Sequence, residues 1–309
     1  MSQKYQIFEE WPESEWQAIA DCSLFIRKSY WQVHLSNSQM LPVSVFNNGA
    51  LSAFICFAKI ENQISTPYKA PYLRPFIKTG ESLEDILVLI IQYLKLKNPQ
   101  SVIRINLAEA IKSKDIIDST LCQISTIDIS HAIIVSKIIS FTTYIGKNGA
   151  DRKKRKLQQL LKQHYTLQSV DAEAYHLNYE LLVKWRNLKG HQDMISPTEM
   201  HKLKERFPEN YKMLKLSHHT EIVGLAVIVK ECSNCYYVYI LLKKPEEQED
   251  LNLLLWNGIY EMARSENIRT IEMGTSMLPN GRINRGLARY KTAIGGKTTR
   301  KYTLQCLLN

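Results

Sequence analysis

The residues best suited to chemistry stand close together between Ile268 and Gly296. An apolar run, Ile268, Ile271 and Met273, gives way to the small and polar Gly274, Thr275, Ser276, Pro279, Asn280 and Gly281. Tyr290-Lys291 and Gly295-Gly296 follow. The run predicts a buried strand after the break at Glu266-Asn267. A strand that opens into small residues leaves backbone N–H groups accessible, and a lysine returning beside them adds a positive charge. That combination suits a carbonyl oxygen becoming an oxyanion, or a phosphate. Read as architecture alone, the stretch is a strand, a loop and a short helix closed by a Gly-Gly stop.

Other candidates are weaker. Cys232-Ser233-Asn234-Cys235 supplies two thiols, with His218 and His219 upstream. A structural zinc needs four ligands, but Ser-Asn between two apolar runs predicts a hairpin tip instead. No structural zinc is expected. Glu221 and Glu272 are candidate bases for an attacking amine, and neither spacing nor motif selects one. No Ser/His/Asp set carries a nucleophile elbow.

The elements that must position these residues follow from periodicity and breakers. Trp11, Trp16, Ile19 and Ala20 fall at loose helical spacing behind Pro12. Leu41 to Phe46 and Leu51 to Ile60 read as strands around the turn Asn47-Asn48-Gly49. Ser82 caps a helix running to Leu96, with Asp85 three residues on. Val102 to Leu107 and Ile133 to Val135 read as strands. Gly146-Lys147-Asn148-Gly149 is the expected linker. Five consecutive cations, Arg152 to Lys156, then open an amphipathic helix through Leu157, Leu160, Leu161 and His164. The helix dipole disfavours cations there. The run is either a solvated face or a phosphate-facing patch.

Leu177, Leu181, Leu182, Trp185 and Leu188 mark the next helix. Ser196-Pro197-Thr198-Glu199 opens another with cap, proline and capping-box glutamate in place. Strands follow at Tyr211 to Leu216, Ile222 to Lys230 and Cys235 to Leu242. Then come a long helix around Leu253 to Met262, the strand at Ile268, and a last strand from Thr298 to Leu307. The fold class expected is mixed α+β in two units, 1–146 and 147–309, each a mostly antiparallel sheet flanked by helices.

The 309 residues carry a net charge of +10 and 45% apolar content, typical of a globular chain with a preference for anionic partners. No apolar run reaches the length of a membrane span, and the charged, aromatic N-terminus does not read as a signal peptide. The chain is therefore expected in the cytoplasm. Its six scattered cysteines are expected as reduced thiols.

The C-terminal stretch resembles the end of a GNAT-superfamily domain. It is similar to the FemAB-like GNAT-family proteins of Bacteroidetes, which are related to the bacterial Fem-type peptidoglycan aminoacyltransferases. Their pattern is D-L-G-x-S, then G-x-x-N-x-G-L-x-x-F-K-x-x-x-G-G. This chain has Glu272-Met273-Gly274-Thr275-Ser276, then Gly281 to Leu287 with Asn284 in place, Tyr290-Lys291 and Gly295-Gly296. Arg186-Asn187-Leu188-Lys189-Gly190 matches the family's R-x-x-K-G. Ser65 to Tyr72, with Tyr68 inside it, is similar to its S-P-Y-x-A-P-F-G, with Leu73 at the glycine position.

The resemblance implies acyl or aminoacyl transfer from an activated donor to an amine, by the second unit, on a cell-envelope precursor or another anionic, nucleotide-linked acceptor. It implies catalytic roles for Lys291 and Tyr290, and substrate contacts from Arg186, Lys189, Gly274, Thr275, Ser276, Asn284 and Tyr68. Lys291 is expected in a cleft between the two units, so that Lys291→Ala removes transfer while the melting temperature stays nearly unchanged. No tightly bound cofactor is implied. The co-substrate is acyl-CoA or aminoacyl-tRNA, which makes tRNA a candidate partner. CoA-dependent GNAT enzymes hold the pyrophosphate in a glycine-containing loop at the start of the long helix. Here Lys243 to Leu251 has no glycine and four acidic residues, so acetyl-CoA is expected to bind weakly or not at all. The rival expectation is a non-catalytic binding module that kept this fold.

Overall fold

In a computed structural model of the chain, residues 5–13, 19, 22–72, 74–107, 122–190, 195–278 and 280–306 are described. Trp16, Ala20, Leu73, Pro279 and Leu307 lie outside them. Two units emerge, Met1–Asp128 with Thr299–Asn309, and Ile129–Thr298.

The first unit begins with β1 (Tyr5–Phe8) and α1 (Lys28–His34), then β2 (Met40–Asn47) and β3 (Ala50–Ile60). These two strands pair through the expected hairpin, where Asn48 and Gly49 both take positive φ. β4 (Gln63–Thr66) and β5 (Phe76–Ile77) both pair with β3. Helix α2 (Leu83–Lys97) is capped by the Ser82 hydroxyl, which accepts from the Asp85 N–H, and it buries Ile86, Leu87, Ile90, Ile91 and Leu94. That stripe recurs every three to four residues, as a helix lying on a sheet requires. The helix is the crossover that lets β6 (Val102–Leu107) run parallel to β4.

Strand β7 (Cys122–Ile134) crosses the unit boundary. Its second half opens the second unit, followed by α3 (Phe141–Asn148) and α4 (Asp151–Leu160), β8 (Tyr165–Ser169), α5 (Ala172–Leu188) and α6 (Pro197–Arg206). The antiparallel run β9 (Tyr211–His218), β10 (Glu221–Cys232) and β11 (Cys235–Lys243) comes next. Helix α7 (Asn252–Ser265) then crosses over to β12 (Thr270–Thr275), which pairs parallel with β11. Helix α8 (Arg285–Ala293) and β13 (Lys297–Cys306) finish the chain, and β13 pairs antiparallel with β6.

Both units follow one plan. Four antiparallel strands lead through a crossover helix to a parallel fifth strand, and an antiparallel strand lies beyond it. In the first unit these are β1-β2-β3-β4, β6 and β13. In the second they are β8-β9-β10-β11, β12 and β7. The core of the second unit is built on α7, whose Leu253, Leu255, Ile259 and Tyr260 pack with Ile228, Tyr236, Ile271 and Phe141.

Three expectations change. Gly146 to Asn148 is the last turn of α3, and Gly149 packs against the end of α8, with Ala150 N–H donating to Ala293 O at 2.8 Å. The segment is interior to the second unit, so the division falls at Asp128/Ile129 and not at 146/147. Glycines at a helix end resemble a linker because both need backbone freedom. Cys122 and Cys306 form a disulfide, buried on neighbouring strands of the first unit. A separation of 184 positions conceals the pair from any reading of spacing. Cys232 and Cys235 do face each other across a hairpin with Ser233-Asn234 at its tip.

Candidate functional site

The parallel pairing of β11 with β12 lasts only from Cys235↔Thr270 to Tyr237↔Glu272. Both strands continue past that point unpaired to each other, β11 to Lys243 and β12 to Thr275. The gap is a cavity of about 630 Å³, within the range of small-molecule sites. Its walls are Tyr237 to Leu241 from β11, and Met273 to Thr275 with Met277 and Leu278 from β12 and the loop beyond. Asn252 and Trp256 from α7, Arg186 from α5, and Asn284, Leu287, Tyr290 and Lys291 complete it. Every one of these residues belongs to the second unit.

Lys291 lies on the last turn of α8, only 4% exposed. Its ammonium donates to the carbonyls of Gly274 and Thr275, each at 2.8 Å. Gly274 holds φ at +74°, a left-handed conformation that glycine adopts without a Cβ penalty, and its carbonyl also accepts from the Ser130 hydroxyl at 3.1 Å. Gly295-Gly296 brings the chain home. Gly295 has φ +93°, and a Cβ there would stand 2.7 Å from the Tyr144 ring.

Tyr290 lies under Lys153, whose ammonium sits 4.4 Å from the ring centroid. Burial first, then the negative charge of Asp250, push its phenol well above the usual tyrosine range. Tyr290 at neutral pH is therefore a neutral phenol, and its buried hydroxyl finds no hydrogen-bond partner among the described residues. Lys153 also pairs with Asp250, and Lys156 with Glu249. The basic start of α4 is thus the counter-charge of the acidic segment before α7, while Arg152 and Arg155 stay exposed. Several N–H groups at the start of α7 are also taken up locally. The N–H groups of Leu251, Leu253, Leu254 and Leu255 are already bonded to Glu249, Asp250 and Leu251 carbonyls.

Arg186 sits on the last turn of α5. Its Nε is buried and finds no hydrogen-bond partner among the described residues, and the same holds for Asn252 Oδ1. Buried polar groups are normally satisfied, so these two mark where a bound molecule or water belongs. Lys189, the exposed C-cap of α5, is shifted down, first by burial and then by the nearby Lys243 and Arg186 charges. Three cations therefore gather where α5 meets the end of β11.

The remaining sequence candidates go elsewhere. Ser276 is fully buried and does not line the cavity. Its N–H donates to Ile129 O and its hydroxyl meets His131 Nδ1 at 3.3 Å. Asn284 lines the cavity but also caps α8, its side chain accepting from Leu287 N–H at 3.0 Å. Tyr68 belongs to the first unit, where its ring faces His34. Glu221 pairs with Lys244 on the surface.

Sequence reasoning missed His131. It is 1% exposed, with Nε2 3.4 Å from the Thr292 hydroxyl, so it links the loop after β12 to α8. Burial, and then the Lys291 charge, pull its pKa down to about 4, which keeps it neutral. A lone histidine in an apolar strand gives no sequence signal.

No protein-family model and no curated protein sequence matches the chain. Solved structures do. FemX superposes with a TM-score of 0.69 at 12% identity, over 98% of each chain. The L-PGS structure from Bacillus licheniformis gives 0.60 at 11% identity, over 96% of this chain and 91% of the other. A tandem GNAT protein from the clavulanic acid biosynthesis pathway gives 0.55 at 9%, over 97% of both. The chain has the tandem GNAT fold. The likeness to FemAB-like proteins read from Gly274, Asn284, Lys291 and Gly295-Gly296 thus agrees with the architecture. Identity near one residue in ten carries the fold and no substrate. No described helix is long and apolar enough to cross a membrane.

Proposed function

We propose that the second unit transfers an acyl or aminoacyl group from an activated ester or thioester to an amine. The observation that carries this reading is the cavity where β11 and β12 part, with the Lys291 charge in its wall and three unsatisfied polar atoms, Arg186 Nε, Asn252 Oδ1 and the Tyr290 hydroxyl, on the residues that line it. A neutral amine attacks the donor carbonyl, and its C–N bond forms as the carbonyl oxygen takes up negative charge. Lys291 and the open backbone edge of β11 offset that charge. Collapse breaks the carbon–sulfur or carbon–oxygen bond, and the proton lost by the amine goes to the leaving group. Positioning and electrostatics do the work, with no covalent enzyme intermediate. Arg186 and Lys189, with Lys243, are the proposed contacts for an anionic or nucleotide-linked acceptor, in keeping with a cytoplasmic reaction on a cell-envelope precursor.

For the donor, the acidic, glycine-free segment before α7 and the N–H groups already bonded at the start of that helix disfavour acetyl-CoA in the usual GNAT manner and leave aminoacyl-tRNA or an acyl thioester held otherwise. Calorimetry should give no micromolar acetyl-CoA binding. Mass-spectrometric detection of amide product, screened over acyl thioesters and aminoacyl-tRNA, is the direct assay. Transfer that persists undiminished in Lys291→Met would overturn the reading. The same segment supports a second reading, a GNAT-fold module that binds an anionic ligand without transfer. Under it the cavity binds ligand and every donor stays unconsumed.

A further inference from the structure

One part of the cavity wall is unlike the rest. Leu278 is 40% exposed and Leu287 38%, and both line it; Ile283, 48% exposed, pairs with the lining residue Met277. Scattered surface leucines need no explanation. These three are gathered on one short segment at the edge of one cavity, and apolar side chains so grouped mark a binding surface.

They are also held firmly. Met277 and Ile283 form an antiparallel bridge, and Leu278 N–H donates to Arg282 O at 2.7 Å. Asn284 N–H donates to Ser276 O at 2.8 Å, and the Asn284 side chain caps the helix turn that carries Leu287. Local hydrogen bonds thus spend backbone order on presenting leucines to solvent, where they gain nothing from the core. Elsewhere the same cavity is lined by residues whose buried polar atoms find no partner among the described residues, Arg186 Nε, Asn252 Oδ1 and the Tyr290 hydroxyl.

We infer that the site takes an amphipathic substrate, its apolar chain lying along Met277, Leu278 and Leu287 and its polar or anionic head against Arg186 and Asn252. The inference rests on the transfer reading for its site and adds the substrate class, an acyl donor or acceptor bearing a hydrocarbon chain. Each methylene withdrawn from water favours binding by a roughly constant step, about fourfold in Kd.

The test uses straight-chain carboxylates from butanoate to decanoate, below their micelle concentrations, titrated calorimetrically into the full chain. Kd should tighten about fourfold per added methylene until the chain outgrows the wall. Leu287→Asp and Leu278→Asp should weaken decanoate at least tenfold and butanoate little. Leu96→Asp, 82% exposed on α2, should change neither. Circular dichroism melts identify a variant that fails to fold, and Leu287→Gln then replaces it. A flat series overturns the inference, as does a length dependence that Leu287→Asp leaves intact or Leu96→Asp abolishes. The two readings fail separately. Chain-length-dependent binding with no product from any donor sinks the transfer reading alone. Transfer of a short acyl group with a flat series sinks this one alone.

Discussion

Lys291 holds a positive charge at 4% exposure by donating to two backbone carbonyls. A lysine projecting freely into a cleft would be removable without loss of stability, and burial changes that expectation. Lys291→Met leaves the Gly274 and Thr275 carbonyls without this donor, which should cost about 1–3 kcal/mol in denaturant unfolding. Any transfer should fall by about a hundredfold or more. A variant as stable as the parent would mean the lysine does not anchor the end of β12. His131 gives a prediction with a sign. Its pKa is about 4 in the folded protein against 6.5 for a free imidazole, so the unfolded chain binds the extra proton first on acidification. The contribution to stability is complete above about pH 6.5 and is lost as pH falls toward 4, on the order of 3 kcal/mol in total. Subtracting the stability–pH curve of His131→Gln from that of the parent should reveal a slope confined to this window. A difference that is flat with pH would mean His131 titrates normally.

At the scale of elements, the second unit resolves two sequence oddities against each other. Cations at the start of α4 and acids before α7 are each locally strange, and Lys153–Asp250 and Lys156–Glu249 join them. Lys153 is 14% exposed at the side chain and Asp250 26%, so the pair is worth more than a solvated one. A double-mutant cycle with Lys153→Met and Asp250→Asn should return a coupling of about 1–2 kcal/mol that shrinks as salt is added. Coupling within error of zero would restore the solvated-face reading of α4. The same pairing accounts for Tyr290, because Lys153 covers its ring while Asp250 lies near its hydroxyl. An ion pair, an aromatic ring and the start of the crossover helix are therefore one packed unit beside the cavity.

At the scale of the whole molecule, the disulfide Cys122–Cys306 ties the C-terminal strand to residues 184 positions earlier. Thiol titration of the denatured, unreduced protein should find four reactive groups, Cys22, Cys56, Cys232 and Cys235. Reduction should raise the count to six. Cys306→Ser should lower unfolding stability by roughly 2–5 kcal/mol. Six thiols before reduction would return Cys122 and Cys306 to the reduced state expected of a cytoplasmic chain. The net charge of +10 belongs to this scale too. It draws anionic molecules to the surface without selecting one.

The sequence by itself determined many of the elements, though not β1, β8 or α3, whose end it read as a linker. Ser82 and Ser196 with Glu199 place two helix starts to the residue, Asn48-Gly49 and Ser233-Asn234 place two hairpin turns, and the succession β9, β10, β11, α7, β12 is legible from periodicity. These signals are local, because capping, turn chemistry and amphipathicity act over a few residues. Six site candidates, Lys291, Tyr290, Arg186, Gly274, Thr275 and Asn284, come together around one cavity. The tertiary structure decided what lies between distant residues. It turned Ser276 inward onto His131, joined Cys122 to Cys306, and set the basic run against the acidic one. It also parted β11 from β12 after three paired residues. Each of these depends on long-range contact, and a partner tens to nearly two hundred residues away leaves no periodic trace in the sequence that folds to meet it.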